Sequence, residues 1–236
     1  ENFDLSKKYT SRISLKSRLN ENSRKRLGID LSSLMKGPAN VSIDAYGRGQ
    51  DIEVAKVKAN LDEAFLFYEP LGWSRHKQKG TRATFNLGFP AKNLVTIQNL
   101  VLKGKDVLLT GDMRLKSNGR TQTVNLPKVQ LGPITKLSVK GSRDKRDVLQ
   151  LVAKASAIDG KSIIDQLEAP AHPQTISRGE NNMVQIKVSA KKAPAYNQHV
   201  LQNINGNISL NAGRLVYMTL NGRFEVSSNR KITVTP

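Results

Sequence analysis

The chain has 236 residues and a mass of 26.1 kDa, enough for one large domain or two small ones that bury a core without disulfides or metals. It contains no cysteine, which excludes disulfides, thiolate metal sites and cysteine nucleophiles, and no apolar run approaches the ~18 residues a membrane-spanning helix needs. Lys and Arg exceed Asp and Glu by 38 to 19, with 21 basic and 12 acidic side chains in residues 1–118 and 17 and 7 in residues 119–236, so the surplus is neither a basic tail nor a single recognition helix.

Such a charge favours anionic partners: nucleic acid, phospholipid head groups or acidic glycolipid. The clusters Arg24-Lys25-Arg26, Arg143 with Lys145-Arg146, and Lys191-Lys192 also read as ordinary solvated faces. The chain opens on Glu1 rather than Met, shows no signal peptide, and ends in Arg230–Pro236, which alternates like a strand and then stops. It therefore reads as a piece of something longer.

In chain order, the first expectation is a polar helix over Ser17–Leu27, stopped by Gly28, and a short one over Leu31–Met35 ended by Gly37-Pro38. Period-two alternation then takes over. Val41/Ile43/Ala45, Ala55/Val57/Ala59/Leu61, Ala83/Phe85/Leu87, Leu100/Leu102, Val107/Leu109 and Met113/Leu115 predict strands with one apolar face. Leu137/Val139, Leu149/Leu151/Ala153, Val184/Ile186/Val188, Ile208/Leu210, Val216/Met218/Leu220 and Phe224/Val226 continue the pattern. The opposite faces are polar or basic, as in antiparallel sheets with one wet side.

Asn118-Gly119, Asn205-Gly206 and Asn211-Ala212-Gly213 read as hairpin turns, and Asn221-Gly222 as a turn or bulge. A helix is expected over Ser162–Glu168 with Asp159 as its cap, a loop over Ala169–Gly179, and one helical turn in His199–Ile204. Leu100–Gly104 echoes Leu137–Gly141 and Met218–Gly222, which suits either a repeated hairpin or any meander.

Catalytic constellations are missing. His76, His172 and His199 have no helical i, i+4 pairing and no clustered carboxylates, so no metal is expected. Gly160-Lys161-Ser162 lacks the first glycine of a phosphate loop, because Ala155 stands there. Asp62 and Glu63 are strand neighbours and make a poor acid/base pair. Phe65, Phe67 and Tyr68 form a lone aromatic cluster best read as core, and Trp73 reads as an interfacial anchor or a cap over the sheet. No catalytic residue, cofactor or nucleic-acid partner is expected.

Four ordered stretches resemble the large AsmA-like proteins of Gram-negative envelopes, the YhdP and TamB type. The match is to a middle region of alphaproteobacterial members long known only as a domain of unknown function. The stretches are Leu27-Gly28-Ile29-Asp30-Leu31 running to Lys36-Gly37-Pro38-Ala39-Asn40-Val41; Val57–Ala64 with Leu71-Gly72-Trp73-Ser74; Leu100–Gly104 with Val107–Leu115; and Gly206–Leu210 through Arg214-Leu215 to Leu220-Asn221-Gly222-Arg223. The likeness runs over about residues 15–230, with Ser74–Gly80 departing from the Lys and Gly that usually follow the Gly-Trp pair.

The resemblance implies a mainly β fold: an elongated, twisted antiparallel sheet curled into an open groove, or half-barrel, with a few short helices. It implies a parent anchored in the inner membrane and crossing the periplasm, whose groove passively carries phospholipid towards the outer membrane. The expected organisation is a β-groove segment over 1–168, a linker or loop at 169–179, and a continuation over 180–236.

The expected groove lining is Leu100, Leu102, Val107, Leu109, Met113, Leu115, Val184, Ile186, Val188, Val216, Met218 and Leu220, facing phospholipid acyl chains. A one-residue slip would invert that face. The alternatives are a scaffold or interaction module whose sheets close on themselves, a cationic binder of nucleic acid or acidic glycolipid, and an enzyme with no nominated residue.

Overall fold

The computed structural model describes residues 9–27, 29, 31–168, 183–196, 199–211, 214–224 and 231–234. Strand makes up 68% and helix 8%, so the mainly β class holds. The chain divides into two compact units. One holds the described residues up to Tyr68 together with Ser74–Arg120; the other holds Glu69–Trp73 and the described residues from Thr121 onward.

Unit 1 is built on β1 (Ser11–Leu19), β3 (Ala39–Arg48), β4 (Asp51–Asn60), β7 (Arg82–Ala91), β8 (Leu94–Gly104) and β9 (Val107–Lys116), adjacent in that order and antiparallel throughout. A small sheet of β2 (Met35–Lys36), β5 (Phe65–Tyr68) and β6 (Trp73–Arg75) accompanies it. The first strand corrects the sequence reading. Ile13, Leu15 and Leu19 alternate with Arg12, Ser14, Lys16 and Arg18, which is strand periodicity.

The helix α1 starts only at Glu21 and ends at Arg26, because the Asn20 side chain accepts the Ser23 N–H at 2.8 Å and caps it. Its acidic first turn and basic last turn suit the helix dipole. Leu31–Met35 is one turn rather than a helix: the N–H groups of Leu34 and Met35 both donate to the Leu31 carbonyl at 2.9 Å. Asn118-Gly119 forms the predicted turn, with Gly119 at φ +82° donating to the Lys116 carbonyl at 2.8 Å.

Unit 2 runs β10 (Thr121–Leu131), β11 (Thr135–Arg143), β12 (Leu149–Ala157), β13 (Met183–Pro194), β14 (Val200–Asn211), β15 (Arg214–Phe224) and β16 (Lys231–Val234), adjacent in that order. One pair departs from the expected antiparallel sheet: β12 and β13 are parallel, and α2 (Gly160–Glu168) lies in the crossover between them. The expected loop at 169–179, with His172, lies outside the described residues. Asp159 caps α2 as expected: its carboxylate accepts the Ser162 N–H at 3.3 Å and the Ser162 hydroxyl at 2.9 Å.

Two further expectations are overturned. His199–Ile204 is not a helical turn but leads into β14, and Asn205-Gly206 is not a hairpin but the middle of it. Gly206 is paired with Val188 on one side and Leu220 on the other, and a Cβ there would stand 2.0 Å from the Thr219 carbonyl oxygen. Glycine therefore serves close strand approach at this position, not a turn. Asn211 pairs with Arg214, although the intervening Ala212 and Gly213 lie outside the described residues.

Asn221-Gly222 lies within β15, and the bulge beside it is on β14, where Asn203 has φ +52°. Among the described residues the main sheet closes on itself in neither unit: the strand order is linear, and the outermost strands of each run do not pair with each other.

Candidate functional site

In unit 1 the register lines up apolar residues in rows across the strands. One row is Ile13–Ala45–Ala55–Leu87–Ile97–Met113, and another, polar only at its first member, is Ser17–Val41–Ala59–Ala83–Leu102–Leu109. Leu100 stands opposite Gly111, Leu115 opposite Val95, and Val107 opposite Gly104. The six expected lining residues of this unit therefore share one face, with the bulge between Ile97 and Leu100 restoring phase.

Their burial differs. Val107 is 2% exposed, whereas Leu100, Leu102, Leu109, Met113 and Leu115 are half-buried. The finished end of the face carries Ala39, Leu61, Thr81 and Val107, all buried. Leu61–Tyr68 leaves the sheet there and Ser74–Thr81 returns to it, with Leu61 N–H donating to the Thr81 carbonyl at 2.9 Å. At the other side of the face the edge strand leaves Ile13 58% and Leu15 52% exposed.

Unit 2 repeats the pattern independently. Its rows are Val124–Gly141–Leu151–Ile186–Ile208–Met218 and Leu126–Val139–Ala153–Val188–Gly206–Leu220. Val184 aligns with Leu149 and Leu210. Met218 is buried, while Val184, Ile186, Val188 and Leu220 are half-buried. Val216 does not keep step: the register shifts between Ser209 and Leu210, Leu215 takes the place opposite Leu210, and Val216 is left in the bulge at 59% exposure. The finished end is a cluster of Ala155, Ile158, Ala190, Ala193 and Ile204, covered by Ile163 of α2 and by Leu71.

The polar residues singled out earlier have structural employment. Gly160 lies where a Cβ would meet the Pro194 carbonyl at 2.8 Å, so it lets α2 close on β13 rather than cradling phosphate. Asp62 accepts the Thr81 N–H at 2.9 Å while Glu63 pairs with Arg18 at 2.6 Å, so the two carboxylates serve different partners.

His76 packs 5.3 Å from the Phe65 ring, and Phe65 stacks on Phe67 at 5.5 Å, but only Phe67 is buried; Phe65 is half-buried and Tyr68 is 36% exposed, so the core reading holds for Phe67 alone. Trp73 is half-buried over the Gly132 turn. Among the described residues no three His, Asp or Glu side chains gather as metal ligands, and no helix is long and apolar enough to cross a membrane.

Sequence reasoning missed three buried arginine side chains, two of which, Arg24 and Arg143, belong to clusters read as solvated faces; the Arg143 side chain is 4% exposed and donates Nε to the Thr121 carbonyl at 2.9 Å. Arg24, 3% exposed, donates Nη1 to the Gly37 carbonyl at 2.7 Å, which ties α1 to the chain after β2. Arg75, 7% exposed, donates Nε and Nη2 to Gln78 Oε1 at 3.1 and 2.9 Å, and its buried Nη1 lies against Gly104 without a hydrogen-bond partner. A glycine at the end of an apolar strand followed by a turn was the available signal. It marks space for a neighbour but does not name it.

No protein-family model, curated protein or solved structure matches the chain.

Proposed function

We propose that the chain is a lipid-binding segment of an AsmA-like envelope protein, which takes phospholipid acyl chains on its apolar sheet faces and passes them passively between membranes. In this reading the parent is anchored in the inner membrane, the segment works in the periplasm, and no covalent chemistry is involved. The observation that supports it is the state of the faces. Each unit finishes one end of its apolar face with protein and leaves bulky side chains elsewhere half-buried or exposed, Ile13 and Leu15 above all. Uncovered apolar sheet is an aggregation hazard unless something else covers it. An acyl chain does so at about 0.8 kcal/mol per buried methylene.

Native mass spectrometry of the chain, purified without detergent in high salt, tests the reading. Phospholipid retained through the salt wash is expected, because apolar burial does not weaken with ionic strength as charge attraction does. Lipid-free protein, from this chain and from a longer parent alike, sinks the proposal in favour of a scaffold. Leu109→Asp and Ile186→Asp place a charge within the rows of each unit, and both should abolish photocrosslinking to lipid while the far-ultraviolet circular dichroism stays that of a folded sheet.

A further inference from the structure

The other face of unit 1 is organised too. Counting rows from the register, Lys16–Ser42–Lys58–Thr84 and Arg18–Asn40–Asn60–Arg82 lie on either side of the apolar row Ser17–Val41–Ala59–Ala83. Side chains alternate faces along a strand, so both polar rows project away from the apolar face. The row between them turns its side chains to the other side and offers only backbone as a floor. A shallow hollow of 560 Å³ lies there, lined by residues of these three rows and by none of the bulky residues of the neighbouring apolar rows. From strand spacing and residue rise it is about 14 Å long and about 7 Å wide.

Most of the trough's surface is carbon, and its few polar groups are cations, amides and hydroxyls, the Asn60 amide oxygen already accepting the Asp62 N–H at 2.9 Å. Lys16 and Arg18 stand at the β1 end, and Lys58 and Arg82 stand on β4 and β7, while β3 between them contributes an amide, Asn40, and a hydroxyl. Arg18 is held at 2.6 Å by Glu63, Lys58 acts on Asp44 and Arg82 on Asp62, but none of these three carboxylates is among the residues that line the trough. A hollow walled by one sign of charge concentrates counter-ions. Amides donate and accept hydrogen bonds at once, which matches sugar hydroxyls.

We propose that this trough is a second site, for an acidic saccharide whose anionic groups meet the cations at its two ends and whose neutral hydroxyls meet Asn40 and Asn60. A nucleic-acid strand fits less well, because it carries charge at every residue and the trough has no aromatic ring on which a base could stack. A flat bilayer does not enter a hollow of this width. The sugar can belong to a free polysaccharide or to a glycolipid head group, since the trough reads only the shared chemistry.

The test is binding of a short fluorescein-labelled polygalacturonate at physiological salt, against an oligothymidylate of equal charge and vesicles of phosphatidylglycerol. Lys58→Gln/Arg82→Gln should weaken saccharide binding about tenfold, the loss of two charge-assisted contacts. Lys128→Gln/Lys145→Gln, which removes the same charge from exposed positions of unit 2, should change it less than about twofold. All four side chains are exposed, so both variants should fold as the parent does.

Equal losses in the two variants, equal affinity for oligothymidylate or vesicles, or no saccharide binding overturns the proposal. Vesicles carrying an acidic glycolipid then separate the two sources of the sugar. The trough and the apolar face lie on opposite sides of the sheet, so lipid retention is expected to be unchanged in Lys58→Gln/Arg82→Gln, and either idea can fail alone.

Discussion

Both units end an apolar sheet face on buried aliphatic side chains, but they fasten that end differently. In unit 1 the clasp is polar. Asp62 accepts the Thr81 N–H at 2.9 Å, the Thr81 hydroxyl donates to the Gln78 carbonyl at 2.9 Å, and Arg75 reaches the Gln78 side chain. In unit 2 the clasp is apolar, with Ile158, Ala193 and Ile204 packed under Ile163 and Leu71. A directional clasp fails when one partner is removed, because the others are left buried and unpaired. A packed clasp fails when volume is removed or forced in. The comparison separates two ways of ending an open sheet.

Glycine substitutions break that comparison most sharply. Gly206→Ala puts a methyl 2.0 Å from a backbone oxygen that two paired strands hold in place, so a loss of about 3 kcal/mol is expected, at the top of the overpacking range. Gly104→Ala meets only the end of a side chain, the Arg75 Nη1 at 2.2 Å. The guanidinium can swing aside and forfeit its bonds to Gln78, which costs about 1–2 kcal/mol. Urea unfolding of both variants checks the order; a larger loss in Gly104→Ala would mean that the polar clasp is the stiffer of the two.

Truncations come next. Ile158→Ala opens a cavity in the apolar clasp and should cost about 2–4 kcal/mol. Leu15→Ala lies on the uncovered part of the unit 1 face and should cost less than about 0.5 kcal/mol, while reducing lipid retained in native mass spectra. A stability loss at Leu15 comparable to that at Ile158 would mean that the face is covered by protein after all. Arg75→Met replaces an arginine without a carboxylate partner by an apolar chain of similar length. It removes both bonds to Gln78 and leaves that acceptor unpaired, so it should cost about 1–2 kcal/mol, as the displaced guanidinium of Gly104→Ala does.

How far the sequence carried can be judged at particular residues. Strands with strict alternation, such as Ala55–Ala59 and Val184–Val188, were legible because local pleat and burial agree. The first strand was equally periodic, but its basic residues and the following Gly28 suggested a helix from Ser17, and only the Asn20 cap marks the true start. Gly206 misled for a different reason: Asn-Gly suits a tight turn, and glycine alone suits a strand closely approached by its neighbours, and the second need is non-local. The same holds for the parallel β12–β13 pair and the Val216 bulge, which are set by partners far along the chain. Within each unit the register puts the expected lining residues outside the bulge in rows on one face, whereas Arg24 and Arg75 were invisible, since nothing local distinguishes a buried arginine from a solvated one.

The smallest expected effect contrasts two carboxylates, one in each unit. Asp44 of unit 1 is held below the usual carboxylate range by the Ser14 hydroxyl at 2.6 Å and by the Arg12 guanidinium at 2.9 Å. Asp144 of unit 2 is held down by the Val148 N–H at 3.0 Å, then by the Gln150 amide and the Arg146 N–H. In both, the folded value lies below the unfolded one, so the unfolded chain binds more protons as the solution turns acid. The stability they contribute is whole above the unfolded pKa of about 3.9 and is lost as pH falls through the folded values. Urea midpoints measured from neutral pH downward should therefore fall in acid, and Asp44→Asn and Asp144→Asn should each flatten that fall. Salt separates the two: high sodium chloride screens the exposed Arg12–Asp44 pair and should erode the Asp44 share, while the neutral donors around Asp144 keep theirs. Equal salt sensitivity at both sites would show that long-range charge in this strongly basic chain, rather than the local hydrogen bonds, depresses the two carboxylates.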